Sequence, residues 1–291
     1  MKYIYYPGCS LTGTALEYNE SSRAVLKAMG AELVELEDWT CCGASAAEAD
    51  SYLLSIVLAA RNLALAEGMD FKGDIVIPCS ACYLNLRRVE DHVQRDDTLL
   101  GKINEALKEE GVQYKGGVKA RHLLDVIVND FAPKKVEALV KHRLSGIRVA
   151  TYYGCQALRP YGSYDDPQQP QSMKPFIEAL GAEVHVWEMG AKCCGAALMT
   201  TKKDVALELT GAILKAAKGA DCIVTVCPMC QMNLEVYQKL ISKRQGEDLE
   251  IPVLYLPQLM GLAFGLSDDE LRTDLNLTKT GSLLSRMGAA N

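Results

Sequence analysis

The stretch IVIPCSAC, Ile75 to Cys82, recurs as IVTVCPMC, Ile223 to Cys230, at a constant offset of 148 residues. In both copies an apolar, β-branched run leads straight into a CxxC, which reads as a buried strand whose end opens a helix. Upstream, AMGAELVELE (Ala28 to Glu37) matches ALGAEVHVWE (Ala179 to Glu188), each lying just before a CCG. Self-similarity of this kind marks an internal duplication. Around these anchors strand and helix signals alternate. The first copy predicts strands at Lys2 to Tyr6, Leu33 to Glu37 and Asp74 to Pro78, with helices over Thr12 to Met29, Ala44 to Ala66 and from Ala81. The second predicts strands at Arg148 to Tyr153, Glu183 to Glu188 and Asp221 to Val226, with helices around Gln171 to Leu180, over Ala196 to Ala217 and from Cys230. Val118 to Val128 and Val253 to Leu266 each read as a further strand running into an apolar helix. The expected fold is α/β: two pseudo-symmetric repeats, each a small parallel Rossmann-like sheet with flanking helices. The expected division is 1–146, 147–267 and a polar tail at 268–291, the tail disordered or ordered only against another protein chain.

Ten of the eleven cysteines follow the duplication: Cys9, Cys41, Cys42, Cys79 and Cys82, then Cys155, Cys193, Cys194, Cys227 and Cys230. The gaps are 31 residues (10 to 40) and 36 (43 to 78) in the first copy, and 37 (156 to 192) and 32 (195 to 226) in the second. Each gap is about one crossover unit, so every cysteine group follows a strand. In an open parallel sheet the strand C-terminal ends lie along one edge, where groups distant in sequence converge. A CxxC at a helix start also meets free backbone N-H groups and the positive end of the helix dipole, both of which favour thiolate. Gly43 and Gly195 let the chain turn sharply after each vicinal pair. Cys222 aligns with Asp74, lies in an apolar strand and reads as a small buried hydrophobe.

Thiols grouped in fives, twice, point to soft metal at two centres. A structural zinc takes four ligands and would leave one thiol of each set spare. A dithiol oxidoreductase explains the two CxxC motifs and leaves the other six cysteines idle. An iron-sulfur cluster accommodates thiolates over a wider footprint, and a fifth ligand suggests something other than the four-cysteine cubane. The residues favour iron-sulfur and leave zinc and dithiol chemistry open.

Composition sets further bounds. Hydrophobic residues at 49% and charged residues at 23% suit a globular chain, and the charge of 31 − 37 = −6 argues against a general nucleic-acid role. The start, MKYIYYPGCSLTG, lacks the apolar region of a secretory signal, and Val253 to Leu266 falls short of the roughly 20 residues that span a bilayer. A cytoplasmic protein without a membrane span is expected, and a reducing compartment disfavours a disulfide ladder.

The duplicated C, CCG, CxxC pattern resembles the cysteine-rich CCG domains of the heterodisulfide reductase B-type subunits, over nearly the whole chain to about Phe264. All ten family cysteines are present, whereas many CCG proteins attached to dehydrogenases lack some. The resemblance implies two noncubane [4Fe-4S] clusters, one held by Cys9, Cys41, Cys42, Cys79 and Cys82, the other by Cys155, Cys193, Cys194, Cys227 and Cys230. It implies a catalytic component that reductively cleaves a disulfide, or oxidises two thiols, at those clusters. In methanogens the substrate is the mixed disulfide of coenzyme M and coenzyme B. Implied partners are the other heterodisulfide reductase components, a ferredoxin-type protein of the C type and a flavoprotein of the A type; no flavin or nicotinamide fingerprint occurs in the chain itself. The alternative is an electron-relay component of a dehydrogenase complex without disulfide chemistry. For an anionic substrate, Arg159 and Lys192 are the foremost basic candidates, ahead of Arg87, Arg88, Lys202 and Lys203, with surface placement the default expectation for each. Tyr6, Tyr152 and Tyr153 are potential proton donors, with packed strand aromatics as the default.

Overall fold

The computed structural model describes residues 1–44, 46–278 and 280–286. Its strands form two four-stranded sheets, every pairing parallel. The first sheet holds β1 (Lys2–Tyr5), β2 (Glu32–Glu35), β3 (Ile75–Ile77) and β4 (Ala120–His122) in the order β2-β1-β3-β4. The second holds β5 (Arg148–Tyr152), β6 (Glu183–Val184), β7 (Cys222–Thr225) and β8 (Val253–Tyr255) in the order β6-β5-β7-β8. Parallel neighbours need crossovers, and helices supply them.

In the first repeat these are α1 (Gly8–Leu11), α2 (Leu16–Ala28), α3 (Ala46–Asp50), α4 (Tyr52–Glu67), α5 (Ser80–Arg95) and α6 (Asp97–Leu107), followed after β4 by α7 (Leu123–Asp130) and α8 (Pro133–Glu137). The second repeat carries α9 (Lys174–Ala179), α10 (Lys203–Ala216), α11 (Pro228–Val236), α12 (Gln238–Gln245) and α13 (Leu256–Phe264). Two short helices, α14 (Asp268–Leu271) and α15 (Gly281–Arg286), follow. Several expected helices are shorter or broken. The helix expected over Ala44 to Ala66 is interrupted at Ser51, whose extended backbone lets its hydroxyl accept from Leu54 N and start α4 anew. The one expected over Ala196 to Ala217 opens as a 3₁₀ turn, Ala196–Leu198, before α10. Between the repeats, the segment from Ala132 to Leu144 contributes the short α8.

One apolar cluster runs through both repeats, and a smaller one lies within the second. The nine residues of α13 are all buried, and this helix packs against α2 of the first repeat. Leu259, Met260, Leu262 and Phe264 belong to the same apolar cluster as Tyr5, Val25 and Leu26. The apolar stretch from Val253 to Leu266 is therefore interior. The tail orders against its own chain as far as Arg286, contrary to the expectation of disorder or of a second protein. Leu271 and Leu283 are buried, Thr278 donates to the Glu235 carboxylate, and Arg286 pairs with Asp221 at 2.6 Å. The remaining tail positions, 287–291, lie outside the described residues.

Candidate functional site

Strand order places the cysteines. In an order 2-1-3-4 the crossovers leave β1 and β3 in opposite directions, so a crevice opens at their C-terminal ends. Cys9 follows β1, Cys79 and Cys82 follow β3, and Cys41 and Cys42 follow β2 on the far side of β1. Cys155, Cys227 with Cys230, and Cys193 with Cys194 take the same places on β5, β7 and β6. The thiols of each repeat are drawn together. Cys9 and Cys41 Sγ atoms lie 3.7 Å apart and Cys42 and Cys82 3.3 Å, while Cys194 and Cys230 lie 3.6 Å apart. Cys155 and Cys193, and Cys227 and Cys230, also lie near enough to perturb each other's thiols. All eleven cysteines are free thiols. Cys222 is fully buried in β7, away from both groups, with its thiol pushed up to about 12 by burial.

Local structure explains how thiols come so close. Gly8 and Gly154, each one residue before a cysteine, have φ of 70° and 72°. A Cβ on Gly8 would stand 2.9 Å from Cys82 Sγ, and one on Gly154 3.1 Å from Cys230 Sγ. Only glycine permits both the left-handed turn and the approach of sulfur to backbone. Gly43 and Gly195 are also left-handed, but a Cβ there would meet Ala47 and Ala206, so these glycines seat the CCG turns on α3 and α10.

Side chains from neighbouring elements then pin each CCG turn. Tyr6 donates its hydroxyl to Thr40 O and Tyr152 to Lys192 O, both at 2.7 Å, holding the residue just before each vicinal pair. Asn85 Nδ2 on α5 donates to Cys42 O at 3.1 Å and Ala44 O at 3.0 Å. Asn233 on α11 donates to Cys194 O at 2.7 Å and to Thr210 Oγ1 at 2.8 Å. The sequence reading missed this pair, although CSACYLN and CPMCQMN carry an asparagine three residues after each CxxC at the same offset of 148. The tyrosines are packed strand aromatics, and their hydroxyls are occupied by carbonyls. Burial raises both, with neighbouring cysteines adding to it.

Bonding between thiols splits their proton affinities. The bond from Cys155 draws Cys193 down to about 6, and Cys155, in turn, is pushed up. The bond from Cys230 likewise draws Cys227 down to about 6. In the first repeat Cys42 is drawn down by bonds from Cys41 and Cys82, both of which rise.

A cavity of about 100 Å³ adjoins the second group, lined by Cys155, Cys193, Cys194, Cys227 and Cys230. Its other wall comes from the first repeat: Ala44, beside the first CCG, and Ser80 and Ala81 inside the first CxxC. The repeats meet through hydrogen bonds here too. Tyr18 donates to Pro78 O at 3.2 Å and Val226 O at 3.0 Å, the residues preceding Cys79 and Cys227. Its ring stacks on Tyr255 at 3.9 Å.

Of the six basic candidates four are otherwise engaged, while Lys192 and Lys202 are exposed. Arg159 donates to Pro167 O and Ala191 O. Arg87 pairs with Glu90 and Arg88 with Glu48, while Lys203 lies over the Tyr237 ring. Of these, Arg159 acts on the cysteines, its charge helping to hold Cys193 down.

The donor sets fit an iron-sulfur group. Each supplies five thiols, and the approach at Gly8 and Gly154 leaves sulfur facing backbone rather than methyl groups. Among the described residues no three His, Cys, Asp or Glu are gathered tightly enough to hold a single metal ion. The thiols instead meet in pairs over a wider span. Five buried side-chain polar atoms lack a partner among the described residues, and Thr40, Thr225 and Gln231 among them adjoin the cysteine motifs.

The family model described as a cysteine-rich domain, CCG, matches residues 3–87 and 149–235. The 8-methylmenaquinol:fumarate reductase membrane anchor subunit of Wolinella succinogenes is 36% identical, over 96% of this chain and 99% of its own length. A protein of Archaeoglobus profundus described as like the B-type subunits of heterodisulfide reductase is 30% identical, over 99% and 98%. Two further relatives are iron-sulfur proteins. The crystal structure of a hypothetical protein from Helicobacter pylori superposes with a TM-score of 0.77 at 18% identity, covering 96% of this chain and 52% of that one, which supports the fold. Among the described residues no helix is long and apolar enough to cross a membrane. With cysteine-rich modules over both repeats and relatives matching from end to end, the chain belongs to the family of heterodisulfide reductase B-type subunits, as an iron-sulfur protein with two CCG domains.

Proposed function

We propose that Cys9, Cys41, Cys42, Cys79 and Cys82 hold one noncubane [4Fe-4S] cluster and Cys155, Cys193, Cys194, Cys227 and Cys230 a second. The chain is then the iron-sulfur component of a multisubunit oxidoreductase on the cytoplasmic side, where a disulfide is reductively cleaved or two thiols are oxidised. One observation carries this reading: the cavity beside the second set is walled by the residues that flank the first set's own ligands. A sulfur compound entering there stands between the two repeats. The clusters supply single electrons, and cleavage takes two electrons and two protons to turn one disulfide into two thiols. This chain's part is to hold the thiolates, fix the CCG turns through Asn85, Asn233, Tyr6 and Tyr152, and keep water from an apolar wall. Electrons come from a ferredoxin-type partner and a flavoprotein partner of the heterodisulfide reductase kind.

Two observations favour a second reading, an electron-relay component without disulfide chemistry. The cavity, at about 100 Å³, is well below the roughly 300 Å³ at which ordinary ligand pockets begin. The relative at 36% identity is a fumarate reductase subunit. The deciding experiment is electron paramagnetic resonance on iron-reconstituted protein, titrated with thiols and disulfides. A signal that changes on their addition supports disulfide chemistry. An intact cluster signal indifferent to both gives the relay reading, and two zinc per chain with no cluster signal overturns both.

A further inference from the structure

The chain approaches each CCG turn along a braced segment, and the two braces differ in charge. In the second repeat three successive carbonyls before Cys193 are held: Gly190 O by Tyr153 N at 2.8 Å and Gly154 N at 3.1 Å, Ala191 O by Arg159 Nη2 at 2.7 Å, and Lys192 O by the Tyr152 hydroxyl. Arg159 stands four residues after Cys155, and its own backbone N-H donates to Cys155 O at 2.9 Å. The guanidinium therefore ties the turn that carries Cys155 to the segment that delivers Cys193. Its other arm, Nη1, donates to Pro167 O at 2.6 Å. Both side-chain partners are neutral carbonyls, and among the described residues Arg159 forms no ion pair. The carboxylates of its own loop, Asp165 and Asp166, accept backbone N-H groups between Asp166 and Ser172 instead.

The first repeat braces its approach with an arginine that is neutralised. Arg61 on α4 donates from Nη1 to Asp38 O at 2.5 Å, three residues before Cys41. It also pairs with the Asp38 carboxylate at 2.6 Å and with Glu110. One cation there faces two anions. Gly13 takes the place of Arg159, four residues after Cys9, so the first set has no counterpart to the unpaired guanidinium.

We infer that Arg159 is a positioning residue for the second set, a cation fixed between the Cys155 and Cys193 segments without a carboxylate partner, and that it makes whatever iron-sulfur group this set holds easier to reduce than its counterpart in the first repeat. Reduction adds negative charge, which a nearby cation stabilises and which the two carboxylates on Arg61 oppose. The planar fork, bound at two carbonyls, keeps that charge in one place, as a lysine on a free stem does not. Electrons entering by either set come to rest at the second, beside the cavity. The inference rests on the proposal that the ten cysteines are ligands, and is independent of whether a disulfide is the substrate.

The test is a potentiometric titration followed by electron paramagnetic resonance on reconstituted full-length protein. Iron and sulfide analysis comes first, and a wild type without two loaded sets overturns the ligand proposal and the inference with it. Signals are assigned to a set by comparison with Cys193→Ser and Cys41→Ser. Arg159→Gln keeps an amide donor and removes the charge, so the second-set midpoint should move to more negative potential while the first-set midpoint stays. Arg159→Lys keeps the charge without the two-armed bridge and should recover most of that shift. Asp38→Asn, which suits the left-handed backbone at φ 54°, removes one anion from Arg61 and should raise the first-set midpoint. Arg159 is exposed, so salt screens it, and in the wild type the gap between the midpoints should narrow as ionic strength rises. If Arg159→Gln does not retain iron at the second set, the salt titration and Asp38→Asn decide, and a gap indifferent to salt with an unmoved first-set midpoint overturns the inference. With both sets loaded, an unmoved second-set midpoint in Arg159→Gln, equal shifts of both midpoints, or equal shifts in the Gln and Lys variants also overturns it, while leaving the ligand proposal standing.

Discussion

Replacing Asn85 by alanine tests the account of how the first CCG turn is held. The side chain is 4% exposed, and its Nδ2 serves both Cys42 O and Ala44 O. Among the described residues no other donor reaches either carbonyl, so the substitution strands Cys42 O in a buried position and Ala44 O in a half-buried one. At about 1–3 kcal/mol for each abandoned buried group, the loss is about 3 kcal/mol. Because one apolar cluster runs through both repeats, the cost should appear in a single unfolding transition, lowered by about 6 °C at about 2 °C per kcal/mol for a chain of this size. Asn233→Ala should cost about half as much, since Cys194 O keeps a bond from Thr210 Oγ1 at 2.9 Å after the asparagine is gone. Scanning calorimetry on the two variants and the parent measures this directly. A melting temperature for Asn85→Ala within about 1 °C of the parent, or a larger loss for Asn233→Ala, would show that these asparagines do not hold the turns as argued.

Two further outcomes follow from burial. Cys222→Ala should leave iron and sulfide per chain unchanged after reconstitution and cost about 1 kcal/mol of stability from the small cavity it opens, whereas Cys194→Ala should lower iron content; iron loss in Cys222→Ala would refute its exclusion from the ligand sets. Glu17, buried on α2, is raised by burial, with Glu235 adding to it, to about 7. Its folded value lies above its unfolded one, so its contribution to stability is fully present in acid and lost as pH rises from about 4.5 to 7, by up to about 3 kcal/mol. Glu17→Gln should therefore raise the melting temperature at pH 8 and leave it unchanged at pH 5, and equal effects at both pH values would refute the assignment.

The cysteine pattern was legible because metal-ligand spacing in an α/β repeat is set by crossover length, which is local: one helix and its loops separate consecutive strand ends. The same locality made Cys222 readable as an interior residue, since its neighbours Ile223 to Val226 already define a buried strand. Helix ends were less legible. The breaks at Ser51 and before α10 follow from how the chain leaves each CCG turn and seats on the next helix, which depends on contacts with Ala47 and Ala206. The basic side chains near the motifs read in one dimension as candidates for substrate, yet Glu90 one turn along α5 engages Arg87, and the fold brings Glu48 on α3 to Arg88 and the Ala191 carbonyl to Arg159.

Alternating strands and helices, the duplication, and ten cysteines on strand ends are properties of the one-dimensional chain, and they were enough to assign the fold and name the candidate ligands. Tertiary structure alone decided how the halves are joined. That α13 packs on α2, that Tyr18 bonds the strand ends of both repeats, and that Ser80 and Ala81 wall the second repeat's cavity are contacts between residues far apart in sequence, 208 positions for Tyr18 and Val226. No periodicity encodes such pairings. They arise because each repeat leaves apolar surface that its own helices do not cover, and burying it against the other repeat brings two similar sites into an unequal embrace.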